Sequence, residues 1–439
     1  MKIRVRKCCL LLAVLASPVF AAESNFKAGA ARVDITPPIE ELVAPFKTIH
    51  DRIYVRALLL DNGSTRAALV VADVPNIQAG ILADLSQRIS RQAGVPRENI
   101  LLGTTHTHNI MRVDGDGQGL ALPGSQKFAD RVIAATLEAV KQATAGLKPA
   151  RAGFATGRAH LIAGRNEWYT AQRRYIDGID RTGTEPVDET LRVFKFETLS
   201  GEPIAFMLNY GIEPVVAMAA PTQVSGDVPG AAARYIEQHF GDQTVALFTI
   251  GPASTPIYRV WPDPKTGSTD VNRALKIMDA MGTILGEEAL AVAQHINRLT
   301  STVQIGGATR TLQCPGKTTT PFNLPNQCAH TPDSKLPACV FTDKDTDPVP
   351  LKMWLLKIGD VAIVQTDANV SVAVGEKLKH ASPLANTMIA ALTFGPMRFV
   401  VDDASYPLNT YEATATRARQ GCAGPGLVDN ALQMLEQLR

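Results

Sequence analysis

Across 439 residues the chain has only eight histidines and six cysteines, and no two cysteines form a C-x-x-C pair. Zinc-ribbon and zinc-finger spacings are therefore excluded. No basic run is interleaved with aromatics, which argues against a nucleic-acid partner. Internal repeats and low-complexity segments are absent. Beyond residue 22 no apolar run is long enough to span a bilayer. What is present is an ordinary globular composition, 45% hydrophobic and 20% charged. The length allows one large α/β domain or two to three smaller units.

The first residues read as a targeting segment. Lys2, Arg4, Arg6 and Lys7 precede an apolar run that starts at Cys9 to Val14, and small residues follow in Val19-Phe20-Ala21-Ala22. That order is the pattern of a secretory signal, with cleavage expected after Ala21 or Ala22. The expected organisation is a signal peptide over 1–22 and one large domain over 23–439, secreted or periplasmic. Cleavage takes four basic residues from 44, leaving 40 against 42 acidic ones. Four cysteines remain: Cys314, Cys328, Cys339 and Cys422. An oxidising compartment makes two disulfides the expectation, with the pairing open. Three of the four crowd a Cys/Pro-rich insertion at about 312–348, where a staple would order the loop. A zinc site using His330 is the alternative there.

Strand and helix signals alternate along the rest. Tyr54 to Leu60 and Ala67 to Ala72 are β-rich and flank Asp61-Asn62-Gly63, a hairpin signal. Residues 79–93 and 125–145 carry apolar residues at helical spacing, stopped by Gly94 and Gly146. Ile204–Leu208, Val245–Ile250, Met353–Ile358, Val361–Thr366 and Met388–Phe394 read as strands. Ala231–Phe240, Ser268–Leu299, Val370–Leu378 and Leu427–Leu438 read as helices. This alternation places the chain in the α/β class.

Polar residues recur just past the apolar strands: Asp73, His106 with His108, Glu213, Ser254, and Asp367 with Asn369. In open α/β sheets that edge is where ligands bind. The Thr105-His106-Thr107-His108 stretch carries the sharpest signal. In extended backbone residues i and i+2 point to one side, so both imidazoles can face one pocket. Imidazoles and carboxylates gathered there suit a metal-dependent hydrolase. The alternative is that each residue only caps its turn. Trp168, Tyr169, Tyr175, Tyr258 and Trp261 lie in polar loops, where they frame an entrance for a greasy or sugar-like substrate or anchor the loops.

Several motifs resemble the neutral/alkaline ceramidase family. They are Ala28-Gly29-Ala30-Ala31-Arg32-Val33-Asp34-Ile35-Thr36-Pro37-Pro38, the Thr105–His108 stretch, Asn209-Tyr210-Gly211-Ile212-Glu213-Pro214 with Ser225-Gly226-Asp227-Val228-Pro229-Gly230, and the tail Tyr406-Pro407 to Tyr411-Glu412 with Leu427-Val428-Asp429. The likeness runs from about Asn25 to the C-terminus and has no counterpart of that family's C-terminal β-sandwich. It implies mixed β-sheets with flanking helices and zinc-dependent cleavage of an amide in a lipid-like substrate. By position, His106 would ligate zinc, His108 would contact substrate or the reacting water, and Ser254 would stand beside the reacting carbonyl. Arg165 and Asn166 would touch substrate. The family's second zinc histidine falls on Glu213, its glutamate on Asn369 and its ligand tyrosine on or near Phe399. Glu213, Asp367 and Asn369 thus become the substitute ligands, and Phe399 can ligate nothing.

Three functions follow from these readings. The first is an exported metal-dependent hydrolase of an amide or ester in a small-molecule or lipid-like substrate, with peripheral membrane contact left open. The second is a ceramidase-like binding protein that has lost the zinc site. The third is metal-free hydrolysis by Ser254 with a histidine base, against which no G-x-S-x-G elbow surrounds Ser254 and Pro252 removes an N–H.

Overall fold

The computed structural model describes residues 25–114, 125–170, 174–260, 266–319, 343–391 and 395–438. The signal segment, Cys328, Cys339, His330 and Trp261 lie outside those residues. Among the described residues no helix is long and apolar enough to cross a membrane.

Local chemistry sets the first hairpin. Tyr54–Asp61 pairs antiparallel with Arg66–Ala72, from Val55 opposite Ala72 to Asp61 opposite Arg66. In the turn Asp61 accepts the Gly63 amide at 2.8 Å, Asn62 Oδ1 accepts the Thr65 amide at 2.9 Å, and Gly63 takes φ +84°. Helix Ala79–Ala93 follows and ends on Gly94 at φ +65°, a left-handed stop that favours glycine.

One mixed sheet of 13 strands runs through the molecule. From one edge its order is Ile305–Lys317, Asp345–Ile358, Val361–Thr366, Asn386–Ala391, Val245–Pro256, Pro203–Ile212, Thr190–Thr198, Lys148–Arg158, Lys27–Asp34, Tyr54–Asp61, Arg66–Ala72 and Ile100–Thr104. Ile162–Ala163 pairs with Val245–Pro256 off that path. Most neighbours are antiparallel; Arg66–Ala72 with Ile100–Thr104, Pro203–Ile212 with Val245–Pro256, and Val361–Thr366 with Asn386–Ala391 are parallel.

The sheet folds back on itself. Leu58, Leu60, Val71 and Leu101 from one end share a core with Leu356, Ile358, Ile363 and Met388 from the other. Across that gap Gln365 Nε2 donates to the Leu102 carbonyl at 2.6 Å. Helices cover the outer faces. Ala79–Ala93 and Ser125–Ala145 pack on the N-terminal strands, Asp227–His239 and Val271–Gln294 on the middle ones, and Val372–Ala381 and Ala423–Gln437 on the C-terminal ones.

Two boundaries depart from the sequence reading for physical reasons. The strand starting at Val245 runs on to Pro256, past the expected stop at Ile250. Its register shifts from Tyr210 opposite Ile250 to Ile212 opposite Ser254, so the extra residues bulge at Pro252, which has no N–H for a ladder bond. The Cys/Pro-rich insertion is narrower than 312–348. The antiparallel ladder of Ile305–Lys317 with Asp345–Ile358 reaches Lys317 opposite Asp345 and takes in Cys314 opposite Val349. Cys314 is bonded to Cys422, not to a cysteine of the insertion. This is the disulfide among the described residues, and it ties a strand to the start of the closing helix.

Candidate metal centre

His106 follows the buried strand Ile100–Thr104, whose parallel neighbour Arg66–Ala72 continues into Asp73 and Pro75. The residue sits at φ +59°, a left-handed conformation that costs a non-glycine residue about 1–2 kcal/mol. The two imidazoles therefore meet because a turn brings them together, not because extended backbone aligns them. Their centroids lie 4.8 Å apart at 73°. His106 Nδ1 is 2.6 Å from the Pro75 carbonyl. A carbonyl only accepts, so Nδ1 carries the hydrogen and Nε2 presents its lone pair. Metal-binding histidines are commonly fixed in this way.

The turn is laced to the segment that carries the acidic partner. Thr107 Oγ1 donates to the Ser225 carbonyl at 2.7 Å, and the Ser225 amide returns to the Asn109 carbonyl at 3.0 Å. Asn109 Nδ2 reaches the carbonyls of Ala217, Ala220 and Gln223 at 2.8, 3.0 and 3.1 Å.

Glu213 follows the strand Pro203–Ile212 and anchors its amide on the Ser254 carbonyl at 2.9 Å. Its two oxygens face different groups. Oε1 lies 3.4 Å from His106 Nε2 and 3.9 Å from His108 Nε2. Oε2 lies 3.2 Å from Asn369 Nδ2 and 3.6 Å from Arg165 Nη1. Burial would push this carboxyl up, but Arg165 and His106 more than offset it and hold it well below the usual carboxylate range. His108 leaves 35% of its side chain open to solvent, yet the protein around its ring and the neighbouring His106 push its pKa down to about 4. It is therefore neutral near pH 7.

His106, His108 and Glu213 bring their ligand atoms within 4.8 Å of one another. A tetrahedral ion with ligands at about 2.0–2.1 Å spaces its donors about 3.3 Å apart. The 3.4 Å pair meets that spacing, the 3.9 Å pair is close to it, and the widest separation, up to 4.8 Å, exceeds it. Two histidines and one glutamate with a fourth position open is a donor set that catalytic zinc uses. The donor types fit a divalent ion.

The other sequence candidates divide. Asn369 reaches the centre, but its amide nitrogen faces Glu213 and its buried Oδ1 lacks a hydrogen-bond partner. Its Nδ2 orients Glu213. Asp367 does not join. It takes the Lys352 amide on Oδ1 at 3.0 Å and lines a separate cavity of about 430 Å³ with Leu102 and Trp354. Ser254 is 1% exposed and its Oγ has no hydrogen-bond partner.

Arg165 is buried between the rings of Tyr411 and Phe399, at 5.1 and 5.5 Å from their centroids. Its guanidinium meets Asp177 at 3.1 Å, and Glu213 and Glu412 each at 3.6 Å. Asn166 accepts the Tyr411 amide at 2.6 Å, and its Nδ2 donates to Glu412 at 2.8 Å and to Glu185. Sequence reasoning gave Tyr411 and Glu412 no role. The signal was their place in the resembling tail, where Thr410 caps a one-turn helix. Burial and Glu185 push the Glu412 carboxyl up to about 7 against the opposing pull of Arg165.

The family model of neutral/alkaline non-lysosomal ceramidase, N-terminal, matches residues 26–255. Among solved structures, a ceramidase complexed with C2 superposes at TM-score 0.72 with 17% identity, over 94% of this chain and 76% of that one. A neutral ceramidase from Pseudomonas aeruginosa gives 0.70 and 18%, over 94% and 75%. At these identities the likeness is one of fold.

Proposed function

Because the chain belongs to the neutral/alkaline non-lysosomal ceramidase family, we propose that it is an exported, zinc-dependent hydrolase that cleaves an amide or ester bond in a lipid-like, acylated substrate. The single observation that carries this reading is the convergence of His106, His108 and Glu213, with His106 fixed by Pro75 and Glu213 Oε2 fixed by Arg165 and Asn369. In the proposed site those three side chains hold the ion. When bound, a zinc ion supplies Lewis acidity toward a carbonyl and a water acidified to near neutrality.

The remaining residues of the site bind and orient. Ser254 Oγ offers a hydroxyl to the scissile group from within the wall. Arg165 keeps Glu213 ionised and turned toward the imidazoles. Glu412 stands 3.6 Å from Arg165 and helps hold that guanidinium against Glu213. Asn166 holds Glu412 and Tyr411 in place.

Metal analysis tests this reading. The purified protein is expected to carry about one zinc per chain or to be activated by it. His106→Ala should lose the ion and reduce turnover by about 10²-fold or more, beyond what loss of a supporting hydrogen bond gives. Zinc-free protein with full activity, or no binding on titration, would overturn it.

One observation favours a second reading, a binding protein without catalysis. Arg165 already places a cation 3.6 Å from Glu213, and Asn369 and Phe399 occupy positions where the resemblance expects ligands. In that case His106→Ala leaves ligand affinity intact and chelators change nothing.

A further inference from the structure

Where the two ends of the sheet meet, a cavity stands apart from the metal centre. It holds about 430 Å³, which suits a small-molecule ligand. Leu82 of the helix Ala79–Ala93, Ile100 and Leu102 of the strand Ile100–Thr104, and Met353 and Trp354 of the strand Asp345–Ile358 give it an apolar wall. None of His106, His108 and Glu213 lines it. Set into that wall are Gln365 and Asp367, which are only 2% and 5% exposed.

Both of these buried residues have an acceptor to spare. Gln365 gives its Nε2 to the Leu102 carbonyl at 2.6 Å, which fixes the amide and leaves Oε1 buried without a hydrogen-bond partner. Asp367 takes the Lys352 amide on Oδ1 at 3.0 Å, and its Oδ2 accepts no hydrogen bond among the described residues. Glycine at 395 keeps that oxygen uncovered, since a Cβ there would lie 2.6 Å from it. Burial pushes the Asp367 carboxyl up to about 6 against the pull of the Lys352 amide and ammonium, and among the described residues no ion pair neutralises it. Arg310 turns its guanidinium to Asn430 at 3.3 Å and to Gln433, and Arg97 is exposed beside Glu98 at the mouth. The buried end therefore offers two acceptor oxygens and a negative charge that no side chain pairs. A buried charge without a paired cation is costly, so a ligand that supplies the cation is favoured. An anion would meet the Asp367 charge, and a plain hydrocarbon would leave both oxygens unmet.

We propose that this cavity is a second ligand site, which takes a primary amine with a compact apolar body. The ammonium donates to Gln365 Oε1 and Asp367 Oδ2, and the body lies against Leu82, Leu102 and Trp354. The site needs neither a metal nor hydrolysis, so it stands independently of the function proposed above.

Calorimetry on the full chain, free of metal, tests the site. The probes are 2-phenylethylamine, the anion 3-phenylpropionate of similar size, and the small polar amine ethanolamine. Expected is saturable binding of 2-phenylethylamine, about tenfold or more tighter than either of the others. Asp367→Asn keeps an acceptor for the Lys352 amide and removes the charge. It should weaken 2-phenylethylamine about tenfold or more, because a charge-assisted hydrogen bond becomes a neutral one. Ala83→Trp, at an exposed helix position in the lining, should block the cavity with the circular dichroism spectrum kept. His106→Ala should leave the affinity unchanged. Equal binding of 3-phenylpropionate, binding that survives both cavity variants, or no binding by a folded protein would overturn the proposal. Binding that is lost in His106→Ala and kept in Asp367→Asn would put the amine at the metal centre and overturn it as well.

Discussion

Glu213 works through both of its oxygens. One faces two imidazoles, and the other is held by a guanidinium and an amide. Glu213→Gln keeps the volume and removes the charge. Zinc affinity is then expected to fall by more than about 100-fold, since losing a direct donor exceeds the 10–100-fold cost of a supporting one. Breaking an isolated buried ion pair costs about 3–5 kcal/mol. Here the loss should be nearer 1–3 kcal/mol, because Arg165 retains Asp177 and Glu412. Calorimetric zinc titration and chemical denaturation check the two numbers separately. Asn109 has a different task. Its Nδ2 ties three carbonyls of the segment after Glu213 to the turn that carries the histidines. Asn109→Ala should destabilise the fold by about 1–3 kcal/mol by leaving buried carbonyls unpaired. It should also weaken zinc binding without touching a ligand.

Two joints between elements are exposed to simple tests. Helix Val372–Ala381 presents Gly375 to the bulge at Pro252, where a Cβ would lie 2.5 Å from the proline Cγ. Gly375→Ala must push the helix off the strand that carries Ser254. The expected cost is about 1–3 kcal/mol, as in other overpacked cores, read from the urea midpoint. The second joint is the Cys314–Cys422 bond, which closes a separation of 108 residues between a strand and the helix Ala423–Gln437. Reduction, or Cys422→Ser, is expected to lower stability by about 2–4 kcal/mol with the far-ultraviolet spectrum kept. An unchanged Tm on reduction would show that helix packing alone holds that edge.

For the molecule as a whole, buried carboxyls govern the response to pH. Burial pushes Asp227 and Glu412 up to about 7, and Asp51 and Asp367 up to about 6. Each binds its proton in the folded state at a pH where the unfolded chain has lost it, so each adds stability as pH falls from about 7 toward 5. His108 acts in the opposite sense. Held at about 4, it stays neutral while the unfolded imidazole protonates, which subtracts stability between 6.5 and 4. Four carboxyls outweigh one imidazole over that range. At lower pH the carboxylates held down by arginine partners, Glu213, Glu237 and Asp188 among them, take up protons and stability is lost. The Tm of metal-free protein should therefore rise from pH 8 to about 5.5 and drop below 4. A steady fall from pH 8 to 5 would contradict this balance.

Local chemistry alone determined the hairpin at Asp61-Asn62-Gly63, the helix over 79–93 with its Gly94 stop, and the α/β alternation, because turn residues and apolar spacing act over a few positions. The Thr-His-Thr-His stretch and Glu213 were legible as chemistry for the same reason, since residue type and a place just past a buried strand are local facts. Which of the polar groups would meet was not a local fact. Asp367 and Asn369 stand two positions apart, yet one takes the Lys352 amide and the other reaches Glu213, and Glu412 reaches Arg165 from a distant part of the chain. Cys314 passed over nearer cysteines for Cys422. Those pairings depend on a sheet that folds back on itself and on turns with left-handed residues. Only the assembled backbone fixes the direction of a side chain that its own neighbours leave free.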